Sequence, residues 1–215
     1  WQEAEREGVL PLDDRGVELF GARFADRTVH PASRTYVYRP PMSPLPAQAA
    51  AAIGGRSWNL VAHLTRTAGQ DGVLYATGTE NSGLSIFLLG DRLIFDYNCF
   101  GEHHVVESSV PVPVGAASVG VNFRREGRAG RATLVVNGSE CGELTVPFAM
   151  RTMSSVGPSV GYDHGSPVSD LYRERRDGFP FAGVLDRVEI TLVAPSPQVE
   201  GEIRATEERT AYGRQ

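Results

Sequence analysis

Lysine is absent: all 21 basic residues of this 215-residue chain are arginine. Arginine suits bidentate recognition of sulfate or carboxylate, but so uniform a choice reads as genomic composition and not as a site. No apolar run approaches the ~20 residues of a membrane-spanning helix, which excludes an integral helical membrane protein. A basic block is also missing, and the formal net charge is −5. Phosphate contacts need clustered positive charge, so a nucleic-acid partner is excluded. Cysteine is scarce. Cys99 and Cys141 cannot build a disulfide framework, and two thiols alone cannot complete a four-ligand zinc site. A single bridge between them stays open. No Gly-x-Ser-x-Gly elbow, Walker loop or His-Glu-x-x-His occurs. The first residues, Trp1-Gln2-Glu3-Ala4-Glu5-Arg6-Glu7, offer no basic n-region and no apolar h-region. They read as a piece cut from something longer without a secretion signal of its own, and the cytoplasm is the favoured compartment.

What is present suits one packed domain. Hydrophobic residues make up 41% of the chain, enough to bury a core, and a sandwich of ~200 residues is ordinary. Twenty-four glycines and 14 prolines favour many turns over long helices. Residues 1–7 read as the last turns of a helix ending at Gly8. Residues 9–46, with Pro40, Pro41, Pro44 and Pro46, show no sustained periodicity and read as an irregular connector. The stretch from Ala47 to Gly55 marks a boundary.

Beyond it the period becomes two. Trp58, Leu60, Ala62 and Leu64 alternate with Asn59, His63 and Thr65, the pattern of a half-buried strand. Val73–Thr77 is a second strand. Ser85–Leu89 and Leu93–Tyr97 flank a Gly90-Asp91-Arg92 turn, with Leu93, Phe95 and Tyr97 facing inward. Val119, Val121 and Phe123 alternate again. Thr133–Val136, Asn137-Gly138 and Glu140–Val146 form a hairpin, because Asn-Gly accepts the positive φ of a two-residue turn. A last strand over 183–193 places Val184, Val188, Ile190 and Leu192 on one side. Strands at this spacing without intervening helices predict an all-β, antiparallel two-sheet jelly-roll sandwich of the concanavalin A-like kind over 54–196. A charged C-terminal tail follows over 197–215.

The chemistry-bearing groups are few. Asp186 and Glu189 stand three apart and are expected on opposite faces, so they do not form the carboxylate pair of a glycosidase. Glu102-His103-His104 is expected to be a solvent-facing loop, since neighbouring strand residues cannot ligate one metal. Asp13-Asp14-Arg15 suits a salt-bridged corner. The most site-like stretch is Tyr162-Asp163-His164-Gly165-Ser166-Pro167-Val168-Ser169-Asp170-Leu171-Tyr172. Tyr162, Asp163, His164, Asp170 and Tyr172 supply carboxylates, hydroxyls and aromatic rings, the groups that hold sugar or calcium. The competing reading has Asp163 and Asp170 closing turns on backbone amides. No catalytic residue and no metal ligand set is assigned.

Several stretches together resemble the C-terminal part of a bacterial arylsulfatase-like family, in which a concanavalin A/laminin G-like sandwich follows the sulfatase domain. They are Trp1, Glu3-Ala4-Glu5-Arg6 and Val9-Leu10-Pro11-Leu12-Asp13-Asp14-Arg15; Arg56-Ser57-Trp58; Asp71-Gly72-Val73-Leu74; Gly83-Leu84-Ser85 with Gly90-Asp91-Arg92-Leu93; Tyr97-Asn98; Val136-Asn137-Gly138; Val160-Gly161-Tyr162-Asp163 with Ser166-Pro167-Val168 and Tyr172; and Phe181-Ala182-Gly183. The resemblance implies that residues 1–46 belong to the close of a sulfatase domain or its connector. It implies a calcium ion and a formylglycine for that missing domain only, with no cofactor in this chain. Neither cysteine lies in a Cys/Ser-x-Pro-x-Arg motif, and Ser109-Val110-Pro111-Val112-Pro113 ends in proline instead of arginine. The expected role is therefore a non-catalytic accessory domain. It would pack on the sulfatase catalytic domain of its parent chain or mediate homo-oligomerisation. The alternative is a carbohydrate-binding, lectin-like module.

Overall fold

The computed structural model describes residues 34–150, 156–175 and 177–194. The expectations placed on residues 1–8, on Asp13-Asp14-Arg15 and on the tail over 197–215 lie outside these. The strands are β1 (Arg34–Tyr38), β2 (Trp58–Arg66), β3 (Gly72–Thr79), β4 (Ser82–Leu89), β5 (Arg92–Cys99), β6 (Glu102–Glu107), β7 (Gly115–Glu126), β8 (Ala129–Val136), β9 (Ser139–Val146), β10 (Ser159–Val160) and β11 (Val184–Leu192). A six-stranded sheet has the order β1-β11-β2-β7-β8-β9, and a five-stranded sheet the order β10-β3-β4-β5-β6. Every named pair within them is antiparallel. Among the described residues there is no α-helix, and no helix is long and apolar enough to cross a membrane. This is the jelly-roll sandwich that the alternation predicts.

The period-two residues of both sheets meet in one core. Trp58, Leu60, Ala62 and Leu64 face Leu84, Ile86, Leu93, Phe95 and Tyr97, all buried. Trp58 lies flat on Phe123, ring centroids 5.3 Å apart, and meets Phe95 edge-on at 6.5 Å, geometries favoured by the ring quadrupole. At the end of β2 the Arg66 side chain is fully buried; its guanidinium bonds the Val112 carbonyl and the Asp91 carboxylate.

Four expectations need correction. Arg34–Tyr38, drawn above within the connector, is the edge strand beside β11; five residues among prolines carry too little periodicity to announce a strand. The turn between β4 and β5 contains only Gly90 and Asp91, because Arg92 already pairs with Leu89. Both turn residues take positive φ, 57° and 67°, as a two-residue hairpin requires. Alternation also fails in the five-stranded sheet. Ile94, Asp96 and Asn98 are buried like Leu93, Phe95 and Tyr97, because a second cluster covers the outer face: Val73, Ala76, Phe87 and Ile94 with Tyr172 and Phe179. Finally, Val184 is 66% exposed instead of facing the core. The register shifts between Leu185 and Arg187, so Asp186 is an extra, unpaired residue, and a bulge of this kind reverses the facing of everything beyond it.

Candidate functional site

The predicted loop separates into three environments. Asp163 and Tyr172 turn inward. The Tyr172 hydroxyl lies 2.7 Å from both Ser85 Oγ and Asp163 Oδ2, and the same carboxylate oxygen accepts the Val168 amide at 2.8 Å. Ser169 Oγ accepts the Leu171 amide and starts the short 3-10 turn Asp170–Tyr172. Asp163 thus closes a turn and pins the segment that covers β3–β5. Asp170 and His164 are exposed, and the His164 amide donates to Ser159 Oγ. Tyr162 lines a hollow of about 420 Å³ with Pro41, Met42, Phe181 and Leu185. The five residues therefore do not converge on one point. The two-histidine stretch also differs from expectation. Glu102–Glu107 is strand β6, and His103 Nδ1 meets the buried Asp96 carboxylate at 2.9 and 3.0 Å while Nε2 lies 3.6 Å from Asp170. Pairing of Glu102 with Cys99, across the tight Phe100-Gly101 turn, is what makes it a strand. Cys99 and Cys141 carry free thiols. Among the described residues no group of three or more His, Cys, Asp or Glu side chains could hold a metal ion.

Burial holds the Asp96 and Asp163 carboxyls above the usual carboxylate range, against hydrogen bonds from Ser169 and His103 to the first and from Tyr172 and Val168 to the second. An acid whose pKa is raised by folding keeps its proton more tightly in the native state. Its contribution is present below the unfolded value, 3.8, and is lost as pH rises through the folded value. Asp163→Asn keeps an acceptor for Tyr172 and Val168 without a charge. The melting temperature of this variant should therefore depend less on pH than that of the parent, with the parent losing ground as pH rises above 3.8. Parallel melting curves for the two proteins across that range would exclude this account.

A different place gathers open polar groups. A cleft of about 340 Å³ on the outer side of the six-stranded sheet is lined by His63, Thr65, Ala116, Ser118, Asn137 and Asp186. Its floor is the pairing of His63 with Ser118 and of Thr65 with Ala116 across β2 and β7. One wall is the β8–β9 turn. Asn137 and Gly138 take φ of 48° and 81°; the Asn137 amide donates to the Ser118 carbonyl, and Asn137 Oδ1 accepts the Ser118 amide at 2.8 Å. The other wall is the β11 bulge. By shifting the register it brings Asp186, Arg187 and Glu189 to one side, correcting the expectation of opposite faces. Arg187 Nε donates to Glu189 Oε1 and its terminal nitrogen to Asp186 Oδ2, each at 2.6 Å. His63 Nε2 lies 3.8 Å from Glu189. The Arg187 hydrogen bond holds the Asp186 carboxyl below the usual range.

A glycosidase needs one carboxylic acid kept protonated beside an ionised one. Here the Asp186 carboxyl in the cleft is held below the usual range, and the two carboxyls held above it, Asp96 and Asp163, are buried outside the cleft lining. The cleft can bind hydroxyl groups through a carboxylate, an amide, an imidazole and two hydroxyls. Sequence reasoning placed His63 outward and Asn137 in a turn but did not join them to Asp186, because no local signal announces the bulge.

Solved structures share this architecture. The CBM40 domain of the Ruminococcus gnavus IT-sialidase, solved with alpha2,3 sialyllactose, aligns with a TM-score of 0.50 at 14% identity, over 68% of this chain and 80% of that one. Domains LG4-5 of the mouse laminin alpha1 chain align at 0.46 and 18% identity, over 70% of this chain and 38% of that one. The LG1-3 region of the laminin alpha2 chain aligns at 0.46 and 18%, over 73% and 30%. This chain thus spans less than half of the laminin structures that it matches. No family model and no curated protein matches it, and the sulfatase resemblance gains no support. At these identities the likeness speaks for the fold alone, a concanavalin A-like jelly-roll sandwich.

Proposed function

We propose that this domain is a carbohydrate-binding, lectin-like module whose ligand sits in the cleft between the β11 bulge and the β8–β9 turn. The observation that carries this reading is the convergence of His63, Thr65, Ser118, Asn137 and Asp186 on one open hollow. An ionised carboxylate and an amide pair naturally with neighbouring sugar hydroxyls, and charge-assisted bonds of this kind are the stronger ones. A sandwich structure solved with a sialylated sugar lends support at the level of fold. The ligand here is neutral, because the two arginines at this wall, Arg187 and Arg39, are matched by the two carboxylates Asp186 and Glu189 and leave no surplus positive charge for an acidic sugar.

The sequence resemblance alone supports an accessory domain beside a sulfatase catalytic domain, with subunit contacts as a further duty. Such a domain would present the same cleft.

Thermal shift against a panel of neutral mono- and disaccharides, with 3′-sialyllactose as the acidic member, tests the proposal. A neutral sugar at a hundred times its dissociation constant should add about 2.7 kcal/mol of stability. Asp186→Ala should weaken that binding about tenfold or more, the loss expected for one charge-assisted hydrogen bond. It should cost little stability, since exposed ion pairs contribute about 0–1 kcal/mol. No shift with any sugar, or unchanged affinity in the variant, would refute the assignment.

A further inference from the structure

We infer that the site extends beyond the cleft and takes a linear, uncharged polysaccharide chain lying along β7; this rests on the carbohydrate-binding reading above. The register lays out the outer face of the six-stranded sheet in rows. Arg187, His63 and Ser118 are aligned across β11, β2 and β7, with Asn137 next to them. The next row along β7 is Glu189, Val61, Gly120 and Val135; the row after it is Thr191, Asn59, Asn122 and Thr133. Two polar patches are thus separated by an apolar waist. Ser118 and Asn122 are four residues apart, about 14 Å at the antiparallel rise, more than one sugar ring can bridge.

The waist has no side chain at its centre. β2 and β7 approach so closely at Gly120 that an added Cβ would meet the Leu60 carbonyl oxygen at 2.1 Å. The row is therefore bare backbone at Gly120, flanked by Val61 and Val135, which present methyl groups suited to the C–H face of a pyranose. The far patch contains amides and hydroxyls; its charged neighbour in the same row, Glu143 opposite Thr133 on β9, is engaged by Arg131. Within it Asn59 Oδ1 is buried and has no hydrogen-bond partner among the described residues. A buried acceptor left unmatched costs stability, and a ligand hydroxyl that reached this amide would supply the missing donor. Hydroxyl-binding ends around an apolar middle match a chain of neutral sugars, in which polar edges and C–H faces alternate. The one carboxylate of the waist row, Glu189, is taken up by Arg187.

Affinity gel electrophoresis of the whole chain in xyloglucan, galactomannan and mixed-linkage β-glucan, with polygalacturonate as the acidic control, selects the polymer. Calorimetry then follows its di-, tetra- and hexasaccharides. The expected result is retardation by a neutral polymer and not by polygalacturonate, with affinity rising about tenfold from di- to hexasaccharide as the second patch contributes its own hydrogen bonds. Asn122→Ala and Asn59→Ala should lower hexasaccharide affinity about tenfold and disaccharide affinity far less, whereas Asp186→Ala lowers both. Asn59→Ala should melt no lower than the parent, because it deletes an unmatched acceptor; a residue with a merely structural role would show a drop. Equal affinity for all lengths, or hexasaccharide binding unaltered in both asparagine variants, overturns the extension and leaves the cleft intact. Failure of every sugar to bind removes both readings.

Discussion

Replacing Trp58 by alanine is expected to destabilise the domain by about 3–5 kcal/mol, the range for removing a large aromatic ring from a packed core. Trp58 is completely buried, stacked on Phe123 and touched edge-on by Phe95. Its loss leaves a hollow at the place where the two sheets meet. Against a total stability of about 5–15 kcal/mol for a domain, a large share of the protein should be unfolded at modest denaturant. Trp58→Phe is the informative companion. The indole nitrogen is buried with no hydrogen-bond partner among the described residues, so phenylalanine loses contact area but also removes an unmatched donor worth about 1–3 kcal/mol. Urea unfolding should place this variant much closer to the parent than to Trp58→Ala. Equal losses for the two would show that the rest of the indole, and not the stack of rings, sustains the core.

Tyr172→Ala should cost a comparable amount, about 3–5 kcal/mol, for a different reason. Tyr172 meets Phe87 edge-on at 5.0 Å and Phe179 at 5.4 Å, and its hydroxyl serves the buried Asp163 carboxylate. Truncation removes the ring and strips a buried acid of a donor. The 161–182 segment would then lose its hold on the outer face of the five-stranded sheet, and Phe87 and Ile94 would be uncovered. Tyr172→Phe separates the two effects: it retains the ring and should cost about 1–3 kcal/mol, the penalty for the unmatched carboxylate. The gap between the two variants in denaturant midpoint measures the packing share. A Phe variant as unstable as the Ala variant would place the whole effect on the hydroxyl.

Most of the sandwich is legible in the chain because one inward face per strand leaves a period of two. Trp58, Leu60, Ala62 and Leu64 announce β2, and Asn137-Gly138 announces the β8–β9 hairpin. What escaped was whatever depends on contacts distant in sequence. Gly83-Leu84-Ser85-Ile86-Phe87-Leu88 carries little alternation because its second face is covered by residues some ninety positions later, a covering with no local signature. β1 is short and gains its identity only by pairing with β11. The loop from Tyr162 to Tyr172 was correctly read as dense in polar groups, but two of them satisfy one another beneath the surface. The cleft needed knowledge of one extra residue, Asp186, whose displacement of the β11 register brings three charged groups to a single side.

The β1–β11 edge has a topological consequence. Arg34 stands opposite Leu192 across that pairing, so the first and the last strand of the described sandwich lie side by side. A fold closed in this way can be spliced into an exposed loop of a host protein without prising the host apart. It can equally be re-cut at the Asn137-Gly138 turn, with a short bridge joining Arg34 to Leu192 directly, and still dock every described strand in its place.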